Sequence, residues 1–135
     1  MSSSGNFNQT VIERFRANGG DVGGPNPLIL LTTTGARTGQ PRTAPVAYST
    51  DGDRLVILAS KGGAPTNPDW YHNLRANPIV TVELGTERFQ ARATVATGQE
   101  RERLFAQHAA LMPGFAKYQE NTTRQIPVVI LDRLR

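Results

Sequence analysis

The sequence predicts a mainly β fold with flanking helices: a six-stranded, mostly antiparallel split β-barrel in a single domain over residues 1–135. Three observations lead there. Short apolar and β-branched runs recur at 28–31, 43–50, 54–59, 79–84, 87–95 and 126–131. Two connections, Asp51-Gly52 and Gly85-Thr86, carry hairpin signals. Helical patterns do not alternate with the strands, which argues against a doubly wound parallel sheet.

Residues 1–6 are small and polar, and disorder is expected there. Phe7, Val11, Ile12 and Phe15 then form one apolar helix stripe over 7–18, with Glu13, Arg14 and Arg16 off it. Core packing is the favoured role of this stripe. A lid over a site, or contact with a membrane surface, are its alternatives. Gly19-Gly20 ends the helix, and 21–27 (DVGGPNP) is loop. The run 28–31 is a buried strand that Thr32, Thr33 and Thr34 extend. Two glycines and a proline make 35–41 a turn. After the 43–50 and 54–59 hairpin comes a Gly-rich loop, 60–66. Asn67 is a helix cap with Pro68 at the first position, and Asn77-Pro78 stops that helix. Thr97-Gly98-Gln99-Glu100 reads as a capping box for a helix on which Leu104, His108 and Leu111 repeat, ending at Pro113.

Composition excludes several classes. The chain has no cysteine, so disulfides, iron–sulfur clusters and a thiolate nucleophile are absent. His72 and His108 are the only histidines and lie in different elements, so no metal site is expected. No apolar run approaches the roughly 18 residues of a membrane span, and MSSSGNFNQ is not a secretory signal. A cytoplasmic protein is expected, or one peripheral at the inner membrane face if the N-terminal helix touches lipid. Fifteen Lys and Arg against eleven Asp and Glu give a net charge of +4, which permits an acidic ligand without selecting one. A nucleic-acid-binding barrel is disfavoured, because Tyr48 and Phe89 are the few aromatics on the strands.

Two segments suit an anion. Within the turn 35–42, Arg37 and Arg42 bracket a glycine-containing reversal, where glycines let backbone N–H groups converge and guanidinium groups add forked donors; an exposed basic hairpin tip is the alternative. Ser60-Lys61-Gly62-Gly63 follows a strand and feeds a helix start, supplying a hydroxyl, an ammonium and backbone amides. Trp70 and Tyr71 begin that helix, where packing is the ordinary role for Trp70. In 112–119 (MPGFAKYQ), Met112 and Phe115 are apolar and Tyr118 carries a phenol.

Together these segments resemble the deazaflavin-dependent nitroreductase family of split β-barrel oxidoreductases. The residues that carry the resemblance are LLTTTGARTGQPRTAP (30–45), ASKGGAPTNPDWYHNLRANP (59–78), the 113–119 segment and IPVVIL (126–131). The resemblance implies coenzyme F420, an 8-hydroxy-5-deazaflavin with a phosphate and an oligoglutamate tail, lying in a surface groove. It implies that Ala36, Arg37, Thr38 and Arg42 hold the phosphate with Lys61. Thr43, Pro45, Val46 and Ala47, with Leu58, Ala59 and Ser60, would line the ring and linker. Asp69, Trp70, Tyr71, His72 and Asn73 would close the ring side. Tyr118 matches a tyrosine that the family places over the ring near the substrate, and Met112 and Phe115 stand where some relatives carry tyrosine. The expected reaction is hydride transfer to a small-molecule acceptor, a quinone, nitroaromatic or activated enone, with Tyr118, Ser60 or water as the proton source. An FMN-binding split-barrel oxidoreductase and a non-catalytic deazaflavin carrier are the alternatives. Oligomeric state is left open.

Overall fold

The structure is a computed structural model that describes residues 3–24 and 26–134, with side chains from residue 8 onward. In chain order the elements are α1 (Ser3–Ala17), β1 (Leu28–Thr34), β2 (Pro41–Ala47), β3 (Ser49–Asp51), β4 (Arg54–Leu58), a 3-10 turn at Lys61–Gly63, α2 (Asp69–Ala76), β5 (Ile79–Leu84), β6 (Glu87–Val95), α3 (Gly98–Leu111), α4 (Gly114–Glu120) and β7 (Val128–Arg133). The strands form one sheet in the order β2-β1-β5-β6-β7-β4-β3, with every neighbouring pair antiparallel.

The sheet has seven strands where six were expected. The expected 43–50 strand breaks at Tyr48, and its two parts pair with different partners. Ala47 sits opposite Leu28 on β1, whereas Ser49 sits opposite Val56 on β4. The edges of the sheet are therefore consecutive pieces of chain, so the sheet must curl into a half-barrel.

Alternation along the strands separates three apolar layers. Ile29, Leu31, Leu55, Ile57, Val129 and Leu131 point into the barrel with Val80 and Val82. Their neighbours Val56, Leu58, Val128 and Ile130 face the other way, under α3 and α4, with Leu104, Met112 and Phe115. Leu30 faces outward too, and α1 covers it with Ile12 and Phe15. Strands buried on both faces read as continuous apolar runs, which is why 28–31 and 128–131 show no polar alternation.

Several local expectations are corrected. The α1 helix begins at Ser3, so residues 3–6 are helical; residues 1–2 and the side chain of Phe7 lie outside the described residues. Leu111 does not join the buried face of α3: it is 69% exposed, while Leu104 and His108 are buried. Thr97 is the cap residue of α3 but makes no side-chain capping bond. Its expected partner Glu100 is drawn to Arg54, at 3.4 Å. Residues 114–120 form α4, a helix the sequence did not signal.

The α1 helix is docked rather than free. Phe15 is 1% exposed, and Arg16 pairs with Glu83 of β5 through two hydrogen bonds of 3.0 and 2.9 Å. Gly20 passes so close to Gly85 that a Cβ would lie 2.8 Å from the Gly85 Cα. Membrane contact through the α1 stripe would require Ile12 and Phe15 to leave Leu30. Among the described residues no helix is long and apolar enough to cross a membrane. Phe15→Ala should lower stability by about 3 kcal/mol in chemical denaturation, the usual scale for a buried phenylalanine. A stripe acting only as a lid would give almost no loss.

Candidate functional site

The turn between β1 and β2 is closed by its own backbone. Gly35 N–H donates to Gln40 O at 2.8 Å, and Gly39 N–H donates to Gly35 O at 2.9 Å. A Cβ on Gly35 would meet Thr38 Oγ1 at 2.7 Å and Gln40 O at 3.2 Å, so a side chain there would force the turn to shift. Asn73 of α2 anchors the turn to the body of the protein. Its Oδ1 accepts from Ala36 N–H at 3.0 Å, and its Nδ2 donates to Thr33 Oγ1 at 3.1 Å. The expected cofactor residue Asn73 is thus a buried clip whose amide faces the turn. Ala36, Arg37, Thr38 and Arg42 remain exposed on that turn, and Thr43 is half-buried beyond it, sharing a 2.8 Å hydrogen bond with Thr32. Arg37 and Arg42 make no hydrogen bond or ion pair among the described residues.

The second segment lies beside the first because of strand direction. Strand β3 continues onward from β2, and β4 runs back antiparallel to β3. The end of β4 therefore returns toward the start of β2, and the two strands touch. Leu58 and Ala59 are buried, and Ser60 is 7% exposed. Lys61, Gly62 and Gly63 follow at φ 48°, 64° and 84°. The Lys61 ammonium is exposed and donates to Thr66 Oγ1 at 3.4 Å.

Asn67 does not cap α2, which starts at Asp69 after Pro68. Its Oδ1 instead accepts from Arg124 Nη1 at 2.6 Å. Arg124 also donates to the carbonyls of Ala59 (3.2 Å), Ser60 (2.8 Å) and Ala64 (2.9 Å). Burial holds its pKa below the ordinary arginine value. Sequence reasoning missed Arg124, whose only sequence signal is a lone charge before the apolar 126–131 run.

The third segment is α4. A Cβ on Gly63 would lie 3.0 Å from the Tyr118 carbonyl, so the Lys-Gly-Gly turn packs directly on this helix. Tyr118 is half-buried, with its ring edge-on to Phe115 at 5.3 Å. Met112 and Phe115, the other expected substrate residues, are buried in the layer between α3, α4 and the sheet. Behind Phe115, at 4.6 Å, lies His108. His108 is fully buried and shares a 2.7 Å hydrogen bond between its Nδ1 and Ser49 Oγ. Its Nε2 has no partner among the described residues.

The remaining expected residues divide by exposure. Asp69 and His72 are exposed, and Trp70 is half-buried against the barrel interior. Val46, Ala59 and Tyr71 belong to the interior itself. Pro45 and Ala47 are half-buried on β2. A cavity of about 540 Å³ opens elsewhere, between Tyr71 and the start of α3, lined also by Thr97, Arg101, Gln125 and Pro127. Its guanidinium, Arg101, donates to Glu102 at 3.0 Å, Gln119 at 3.2 Å and the Ile126 carbonyl at 2.6 Å. The one cation lining that cavity is thus engaged, whereas Arg37 and Arg42 on the β1–β2 turn have no partner among the described residues.

A family model described as F420H(2)-dependent quinone reductase matches residues 7–133. The chain belongs to that family. An F420H(2)-dependent quinone reductase of Mycobacterium tuberculosis is 41% identical, over 88% of this chain and 85% of that protein. A solved F420-H2 dependent reductase, FDR-A, is 38% identical and superposes with a TM-score of 0.73, covering 78% of this chain and 94% of its own. The heme storage protein HutZ of Vibrio cholerae shares the fold alone, with a TM-score of 0.61 at 16% identity over 92% and 88% of the two chains. Membership of the F420H(2)-dependent quinone reductase family makes the deazaflavin coenzyme the cofactor of this chain, as the motifs at 30–45 and 59–78 implied.

In this quinone reductase family member, His108 sets a pH limit behind the site. Burial lowers its pKa from 6.5 to about 4. The unfolded chain takes up a proton as pH falls through 6.5, and the folded chain refuses it until about 4. Stability present above pH 6.5 should therefore drain away between pH 6.5 and 4, by about 3 kcal/mol in total. Denaturation midpoints across that range should show the loss, and His108→Gln should flatten it.

Proposed function

We propose that this chain reduces a quinone with the reduced deazaflavin coenzyme, and that Arg37, Arg42 and Lys61 bind the phosphate-bearing part of that coenzyme. The observation that carries the reading is the pair of exposed arginines without partners on a turn held rigid by Gly35 and Asn73. A polyanionic ligand fits this donor set. Two guanidinium groups offer forked donors, and one ammonium adds a point charge.

When bound, the reduced deazaflavin supplies a hydride. The chain's own residues do the rest. The two loops fix the ligand between the β1–β2 turn and the end of β4. Tyr118 is half-buried and its backbone packs on the Lys-Gly-Gly turn; its phenol holds the acceptor oxygen and delivers the proton that completes a hydroquinone. Ser60, buried under the same turn, is the second hydroxyl within the site. Phe115 fixes the Tyr118 ring from behind and presents little surface of its own. Acceptor choice then rests chiefly on Tyr118 and on what the open side of the groove admits, so nitroaromatics and enones belong in the same assay.

Titration of the protein with deazaflavin and with FMN, followed by oxidation of the reduced deazaflavin against quinones, nitroaromatics and enones, tests the reading. Deazaflavin should bind in preference to FMN, and quinones should turn over. Arg37→Gln and Arg42→Gln should each raise the deazaflavin Kd about tenfold, as loss of a charged hydrogen bond does. Wild-type binding should weaken with added salt, and the double variant should respond less. Tight FMN binding without deazaflavin binding would overturn the proposal. Binding without turnover of any acceptor would make the chain a carrier.

A further inference from the structure

The loop after β4 is organised by a side chain about sixty residues away. Arg124 reaches the carbonyls of Ala59, Ser60 and Ala64 and the Asn67 amide oxygen, with all three of its nitrogens engaged. None of these acceptors is a carboxylate, and Arg124 makes no ion pair among the described residues. A planar guanidinium with five fixed donors can hold four acceptors at once. A lysine ammonium cannot.

The direction of these bonds has a consequence for the backbone. In a trans peptide the carbonyl and the next N–H point opposite ways, and no peptide bond here is cis. With the Ala59 and Ser60 carbonyls turned onto Arg124, the N–H groups of Ser60 and Lys61 must face away from it. The same loop stores strain. Lys61 is the one non-glycine residue at positive φ among the described residues. Such a conformation costs on the order of 1 kcal/mol and persists only where its surroundings hold it. Arg124 holds both sides of Lys61, through Ser60 and Ala64, while Gly63 is pressed against Tyr118.

We infer that Arg124 is a positioning residue for the cofactor: by gathering three loop carbonyls it presents the Ser60 and Lys61 backbone N–H groups, with the Lys61 ammonium, to an oxygen-bearing part of the deazaflavin. The inference rests on the deazaflavin reading above. Arg124 itself does not touch the ligand. It turns acceptors out of the groove and donors into it, which an anionic ligand needs.

The test compares wild type with Arg124→Met and Arg124→Lys in the full chain. Deazaflavin Kd, quinone KM, thermal melting and amide hydrogen exchange are measured. In Arg124→Met the deazaflavin Kd should rise about tenfold to a hundredfold, the range expected when several donors lose their aim. Arg124→Lys should rise less, and quinone KM should stay unchanged. The Gly63 and Ala64 amides, which donate to the Ser60 and Lys61 carbonyls, should exchange about tenfold faster in the ligand-free variant, while those of β4 and β7 keep their rates. An unchanged Kd in either folded variant, or exchange quickened equally through the whole sheet, would overturn the inference. Failure of wild type to bind deazaflavin, with the exchange change still confined to 60–64, would overturn the cofactor reading and reduce Arg124 to a loop staple.

Discussion

Strands β2 and β3 are consecutive in the chain, yet they occupy opposite edges of the sheet. Only Tyr48 lies between them, and its N–H donates to Pro27 O at 3.3 Å. With one residue to span the gap, the sheet has no freedom to lie flat. It curls until its edges approach each other, and the half-barrel has an apolar interior. The same closure returns the end of β4 toward the start of β2, so the Ser60 loop and the Arg37–Arg42 turn share one end of the barrel. Helices α3 and α4 then cover the outer face of β4 and β7, bringing Tyr118 against the Ser60 loop. The site is a product of sheet closure.

Within that frame, polar side chains hold the loops in shape. Asn73 and Arg124 both act on backbone, one donating and accepting at the β1–β2 turn, the other gathering carbonyls after β4. Bonds of this kind contribute about 1 kcal/mol each, and losing one partner leaves a costly orphan. Carboxylates elsewhere are engaged: Glu83 by Arg16, Asp51 by Arg54 and Arg103, Glu87 by Arg133. The pairing with Arg103 and Arg54 lowers the Asp51 pKa to about 2, keeping it charged. Arg37 and Arg42 have no such neighbour, so a modest net charge still leaves a concentrated positive surface at the turn.

Much of this was legible from residues. The hairpin signals at Asp51-Gly52 and Gly85-Thr86 located real turns, and Gly35 marked a turn in which an added Cβ would crowd Thr38. The motifs at 30–45 and 59–78 gave the family. Other features were opaque for physical reasons. The break at Tyr48 leaves no trace, because each part of 43–50 still suits a strand and only the pairing partner changes. Leu111 keeps helical spacing with Leu104 and His108, but the helix ends there and its last residue overhangs the sheet. Met112 and Phe115 look like pocket residues by position, yet the α3–α4 corner turns both inward. Glu100 satisfied a capping pattern, and Arg54, from a strand far away in sequence, draws it off.

By itself, the sequence determined the β-rich character of the chain, the anion-suited composition of two loops and the family to which the chain belongs. These are local properties, set by residue type and spacing. Tertiary structure decided which residues of those loops face outward and what holds them. Asn67 became an acceptor for Arg124 rather than a helix cap, Asn73 became a clip on the turn, and Arg37 and Arg42 were left unpaired. No local pattern contains that information, because it depends on a guanidinium and an amide brought by the fold from distant positions. The turn at Gly35 supplies the charges, and the closed sheet makes them available.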